Sequence, residues 1–202
     1  MKLICIGRNY VKHIEELGNE KPESPIIFLK PDSALIKNNE PFYYPDFSTD
    51  IHYEVEVLVK IKKVGKSIPV NFAHKYYDEI GLGIDLTARD LQTKAKAKGL
   101  PWDLAKGFNG SAPISNFISK STFNVQDLNF SLKLNGTLVQ SSNTSLMLWS
   151  IDEIIAYVSR YMTLKKGDIL FTGTPEGVGP IKIGDQLQGF IESQNMFDFE
   201  IR

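Results

Sequence analysis

The sequence predicts a β-rich α+β fold, and two observations carry that expectation. Short apolar runs of strand length, bounded by Gly, Pro, Asn or Asp, dominate the chain. They fall at Leu3 to Ile6, Ile26 to Leu29, Glu54 to Ile61, Ile80 to Asp85, Ser131 to Leu134, Thr137 to Gln140, Ile169 to Thr172, Gln186 to Ile191 and Phe197 to Ile201. Helical periodicity is confined to a few short segments. No period of a repeat protein is present.

Each element has its own justification. Leu3 to Ile6 holds Cys5, the only cysteine, which reads as a small buried hydrophobe and excludes an internal disulfide. Tyr10 to Leu17 is expected to be a short helix, with His13 and Glu16 three apart on one face, where a carboxylate can orient an imidazole. Glu15 fits that description equally well on sequence alone, and an ordinary surface pair is the alternative. In "DIHYEVEVLVKI" the side chains alternate: Val55, Val57 and Val59 point one way, and His52, Glu54 and Glu56 the other. Two carboxylates about 7 Å apart on one strand face repel in a water-poor site unless a cation relieves them. A half-exposed strand with solvated glutamates reads the same way. A second signal comes from "EIGLGIDLTARDLQ", where Asp85 interrupts an apolar, Gly-rich run although Asp is rarely buried unpaired. Three carboxylates from two strands make an oxygen-only donor set suited to a hard cation such as Mg²⁺ or Mn²⁺.

Further along, Arg89 to Lys98 is expected to be helical, its "KAKAKG" run being a solvated face. Lys106 follows the apolar "LPWDLA" and precedes Gly107, which can bring its ammonium to a pocket. Asn135-Gly136 marks a hairpin turn. "SIDEIIAYVSRYM" opens with Ser150 and Glu153 in capping-box spacing, and Ile151, Ile154, Ile155 and Val158 keep a helical period. "TGTPEGVGP" crowds three glycines and two prolines after a strand, the build of a loop that brings backbone close to a ligand. It lacks the spacing of a phosphate-binding P-loop.

Composition narrows the function. At 202 residues, without a low-complexity linker, residues 1–202 read as a single domain. The net charge is −1 and the 23 Lys+Arg residues are dispersed, so neither nucleic acid nor an anionic membrane surface is indicated. No apolar run approaches the roughly 20 residues of a membrane span, and "MKLICIGRNY" turns polar too soon for a signal peptide, which points to the cytoplasm.

The order of "GRNYVKHIEE", "FLKP", "IHYEVEV", "GIDLTARDLQ", "KGLPWDLAKGF" and "LFTGTPEGVGP" resembles the fumarylacetoacetate hydrolase family, specifically its short members acting as acylpyruvate hydrolases and oxaloacetate decarboxylases. The resemblance implies rolled mixed β-sheets with a few short helices, a homodimer, and a Mg²⁺ or Mn²⁺ cofactor. It implies Glu54, Glu56 and Asp85 as metal ligands, His13 and Glu16 as the general-base pair, Lys106 on the substrate, and Arg8, Gln92 and Thr174 as substrate-binding residues. "KGFNGSAP" departs from the expected pattern at Gly107 and Asn109. The implied activity is C–C bond cleavage of an acylpyruvate or related 2-keto acid, with the metal as Lewis acid on the developing enolate. Isomerisation of a 2-hydroxydienoate dicarboxylate and non-catalytic binding of a keto acid are the alternatives.

Overall fold

The computed structural model describes residues 1–16, 18 and 20–202. Leu17, the end of the predicted first helix, and Asn19 lie outside the described residues. The architecture is the expected one, mixed sheets with few helices. A six-stranded sheet runs in the order Ile26–Lys30, Leu3–Gly7, Ile169–Phe171, Val55–Ile61, Tyr77–Ile84 and Ile118–Ser119. Leu3–Gly7 lies parallel to Ile169–Phe171 and antiparallel to Ile26–Lys30.

Both faces of this sheet are covered, which is why its strands read as continuous apolar runs. Leu3 and Cys5 pack with Leu58, Ile169 and Phe171 on one face. Ile4 and Ile6 pack with Val59, Ile61 and Leu170 on the other, beneath Ile151, Ile154, Ile155 and Val158 of the helix Ile151–Tyr161. That helix carries the predicted capping box, Ser150 accepting from the Glu153 N–H while Glu153 accepts from the Ser150 N–H.

The second layer is a four-stranded antiparallel sheet in the order Thr137–Asn143, Asn129–Leu134, Gln186–Ile191 and Gln194–Glu200. Its first hairpin turns at Asn135 and Gly136, with φ of 51° and 79°, the left-handed pair that the dipeptide signals. Phe130, Leu132, Leu187, Ile191, Phe197 and Phe199 pack against Val55, Val57, Ile80, Leu82 and Ile84 to make the largest core. At Gly83 a Cβ would come within 2.8 Å of Leu58 and 2.9 Å of the Pro113 carbonyl, so the Gly-rich run reflects close backbone packing.

Of the predicted strand ends that move, two bear on the site. The chain leaves one sheet for another at Glu54: Ile51–Tyr53 pairs with Thr87–Ala88 in a small sheet, and Val55–Ile61 pairs with Tyr77–Ile84 in the large one. Glu54 and Asp85 face each other in the gap between the two ladders, joined by the Asp85 N–H donating to the Glu54 carbonyl at 2.8 Å. Strand pairing therefore starts at Val55 and stops at Ile84 rather than including both acids. The helix Arg89–Lys98 has the predicted bounds. The short helix Asp103–Lys106 was not expected, being too brief to show a period. No described helix is long and apolar enough to cross a membrane.

Candidate active site

The strand exchange gathers the three acids. Glu54, Glu56 and Asp85 are buried, and each offers a carboxylate oxygen within 4.8 Å of the others. Cations answer them closely. Arg89, first residue of its helix, donates to Glu54 Oε1 at 2.5 Å. Lys106 Nζ, from the short helix Asp103–Lys106, lies 2.8 Å from Glu54 Oε2, 2.6 Å from Asp85 Oδ2 and 2.6 Å from the Thr87 hydroxyl. Lys30 Nζ, 2.8 Å from Asp85 Oδ1, also donates to the carbonyls of Leu86, Ser111 and Lys106.

These contacts set the electrostatics. Burial pushes the Glu54 carboxyl up, but Lys106 and Arg89 outweigh it and hold Glu54 well below the usual carboxylate range. Among the described residues the hydrogen-bond partner of Glu56 is the Gly173 N–H, at 2.7 Å; burial and the Asp85 charge push it well above that range. Burial works against the Lys106 ammonium, and the Asp85 and Glu54 charges more than restore it. A clustered, buried all-oxygen set in which one carboxyl resists ionising fits a hard divalent cation.

The same cavity, about 40 Å³, is lined by His13, Arg8, Gln92, Lys96, Trp102 and Thr174 as well as by the acids. His13 sits on the helix Val11–Glu16, buried, with Nδ1 3.4 Å from Glu16 Oε2. Burial lowers its proton affinity, against opposing pulls from the Glu54 and Glu16 charges. Glu16, rather than Glu15, meets the imidazole, and it accepts from the Gly177 N–H at 3.0 Å. Arg8 adopts φ 59°, a left-handed backbone rare outside glycine, where the first strand turns toward that helix. Gln92 accepts from Arg89 at 2.7 Å. His52 hydrogen-bonds Asp50 at 2.8 Å and stays outside the acid cluster. An adjoining groove of about 430 Å³, walled by Ile26, Phe28, Leu100, Pro101 and Trp102, opens beside Lys106.

The sequence reading assigned no role to Lys30 or Arg89. Lys30 carries no signal, since a lysine closing a strand ordinarily reaches solvent; Arg89 stands i−3 from Gln92 on one helix face, which does link the two. Lys106, expected on the substrate, lines the cavity, and its ammonium bridges Glu54 and Asp85, since buried acids demand compensating charge.

Fold and site together define a family. The profile of the fumarylacetoacetate (FAA) hydrolase C-terminal family matches residues 2–202, and the chain belongs to that family of enzymes. It is 40% identical over 200 residues to the mitochondrial oxaloacetate tautomerase FAHD1 of Bos taurus, covering 98% of this chain and 90% of that one. The crystal structure of fumarylpyruvate hydrolase from Pseudomonas aeruginosa in complex with Mn²⁺ and pyruvate superposes with a TM-score of 0.94 at 33% identity, covering 100% of this chain and 89% of that one. The 5-carboxymethyl-2-hydroxymuconate delta-isomerase from Mycobacterium smegmatis gives 0.89 at 36% identity, covering 99% and 78%.

Proposed function

We propose that this protein is a divalent-cation-dependent enzyme acting on 2-keto acids, cleaving an acylpyruvate or decarboxylating oxaloacetate, with Glu54, Glu56 and Asp85 as metal ligands. The observation that carries this reading is that one cavity is lined by the buried acid cluster and by His13, whose Nδ1 meets Glu16. The charge balance supports it. Glu54 and Asp85 are matched by Lys30, Lys106 and Arg89 in direct contact, so a Mg²⁺ or Mn²⁺ adds positive charge that an anionic substrate would neutralise. Arg8 and Lys96 at the same cavity favour an anion further.

When bound, the cation supplies Lewis-acid polarisation of adjacent carboxylate and keto oxygens. The chain supplies the rest. His13 is kept neutral by burial and takes a proton from water, and Glu16 holds the ring and stabilises the imidazolium. The water oxygen bonds to the distal carbonyl carbon, the C–C bond breaks, and its electron pair stays on the pyruvate fragment until a proton returns. Lys106 steadies the negative charge that develops. Arg8, Gln92 and Thr174 hold the substrate.

A second reading, keto–enol isomerisation, uses His13 only to move a proton and is favoured by the tautomerase and isomerase named among the similar proteins. Product analysis separates the two, since pyruvate release requires cleavage. We carry the homodimer forward on the same family resemblance. The direct test of the metal site is Glu54→Gln and Asp85→Asn: both are expected to abolish Mn²⁺ binding and turnover with the fold intact by circular dichroism. Full turnover after exhaustive chelation would refute it.

A further inference from the structure

Gln140 reaches the site from the four-stranded sheet, on the strand Thr137–Asn143, and is 2% exposed. A buried amide needs partners for an acceptor oxygen and two N–H donors. Its Oε1 accepts the N–H of Val55, the residue between Glu54 and Glu56, at 2.9 Å. Its Nε2 donates to Thr174 Oγ1 and the Pro175 carbonyl, both at 3.0 Å, with the Glu176 carbonyl at 3.4 Å. The backbone N–H can only donate and the carbonyls can only accept, so the amide is fixed in one orientation. Its nitrogen must face the Thr174 hydroxyl. Thr174 Oγ1 is therefore an acceptor in that bond, its own proton is directed elsewhere, and no acceptor for that proton is found among the described residues. Thr174 lines the cavity.

We propose that Gln140 is a positioning residue that sets Thr174 as a hydrogen-bond donor to an anionic oxygen of the substrate. The inference rests on the keto-acid reading of the site. The same amide holds the Pro175 and Glu176 carbonyls, upstream of the Gly177 N–H that donates to Glu16, so one side chain ties the acid-bearing strand to the loop facing the general base.

A purely structural role would loosen the loop whatever occupied position 174, whereas the proposed role acts through the Thr174 hydroxyl. A double-mutant cycle distinguishes them, read as oxalate binding to the Mn²⁺-loaded protein by calorimetry. Thr174→Val should weaken oxalate by about tenfold, the scale of a hydrogen bond to a charged group, and Thr174→Ser should restore it. Gln140→Met should weaken it comparably alone and add little on top of Thr174→Val, with Mn²⁺ affinity unchanged. Multiplying losses in the double variant, or Thr174→Val binding oxalate like the parent, would overturn the proposal while leaving the keto-acid reading standing. The comparison of Thr174→Val with Thr174→Ser decides even if Gln140→Met does not fold. If the parent protein binds no oxalate with Mn²⁺, the keto-acid reading itself falls and takes the proposal with it.

Discussion

Burial lowers the proton affinity of His13 while the Glu54 and Glu16 charges raise it, and burial wins. A base must be deprotonated to act, so activity should rise with pH through a value below the usual histidine range. Removing the Glu16 charge takes away one stabiliser of the imidazolium, so Glu16→Gln should move that acid limb to still lower pH and slow the plateau. An acid limb that moved upward would contradict the pairing. His13→Ala should cost on the order of 10² or more in kcat, the scale of general acid–base catalysis, with Mn²⁺ affinity kept. At this scale the acids were legible because a carboxylate inside an apolar strand pattern conflicts with its surroundings, as at Glu56 and Asp85. Their counter-cations were not. Lys30 looks like any strand-end lysine, and its inward partners, Asp85 and three backbone carbonyls, come from distant parts of the chain.

Lys30 also shows what the elements require. Its ammonium ties the end of the strand Ile26–Lys30 to Asp85 and to carbonyls of Leu86, Lys106 and Ser111, fastening the edge strand to the site. Lys30→Met keeps the stem but leaves Asp85 with one cation fewer, and loss of a partner from a buried pair costs about 3–5 kcal/mol. Chemical denaturation of the metal-free protein should show a loss of that size. Ser150→Ala, at a helix cap that does not line the cavity, should cost about 1 kcal/mol and leave kcat alone. Helices with caps and a period, Ile151–Tyr161 above all, could be read directly. The two-residue strands could not, because Leu35–Ile36 and Ala112–Pro113 are too short to show an alternation and pair across a long separation in the chain.

At the scale of the molecule, the two sheets share the core around Val55 and Leu82, and the acids stand where strands pass from the large sheet to a smaller one. Hydrophobic patterning fixes which strands exist but not their partners, so the parallel pairing of Leu3–Gly7 with Ile169–Phe171 was not readable from either segment. The proposed homodimer is checked by sedimentation, where a species of twice 22.8 kDa is expected. The account's central claim is that this cavity transforms 2-keto acids with the help of a divalent cation. Proton NMR of acetylpyruvate, fumarylpyruvate and oxaloacetate incubated with the protein, with Mg²⁺ and then with excess chelator, reports cleavage, decarboxylation and keto–enol exchange in a single spectrum. Conversion of at least one of them that stops with the chelator and is absent in Glu54→Gln is the expected result; spectra identical to the protein-free control, or conversion indifferent to the chelator, would contradict the claim.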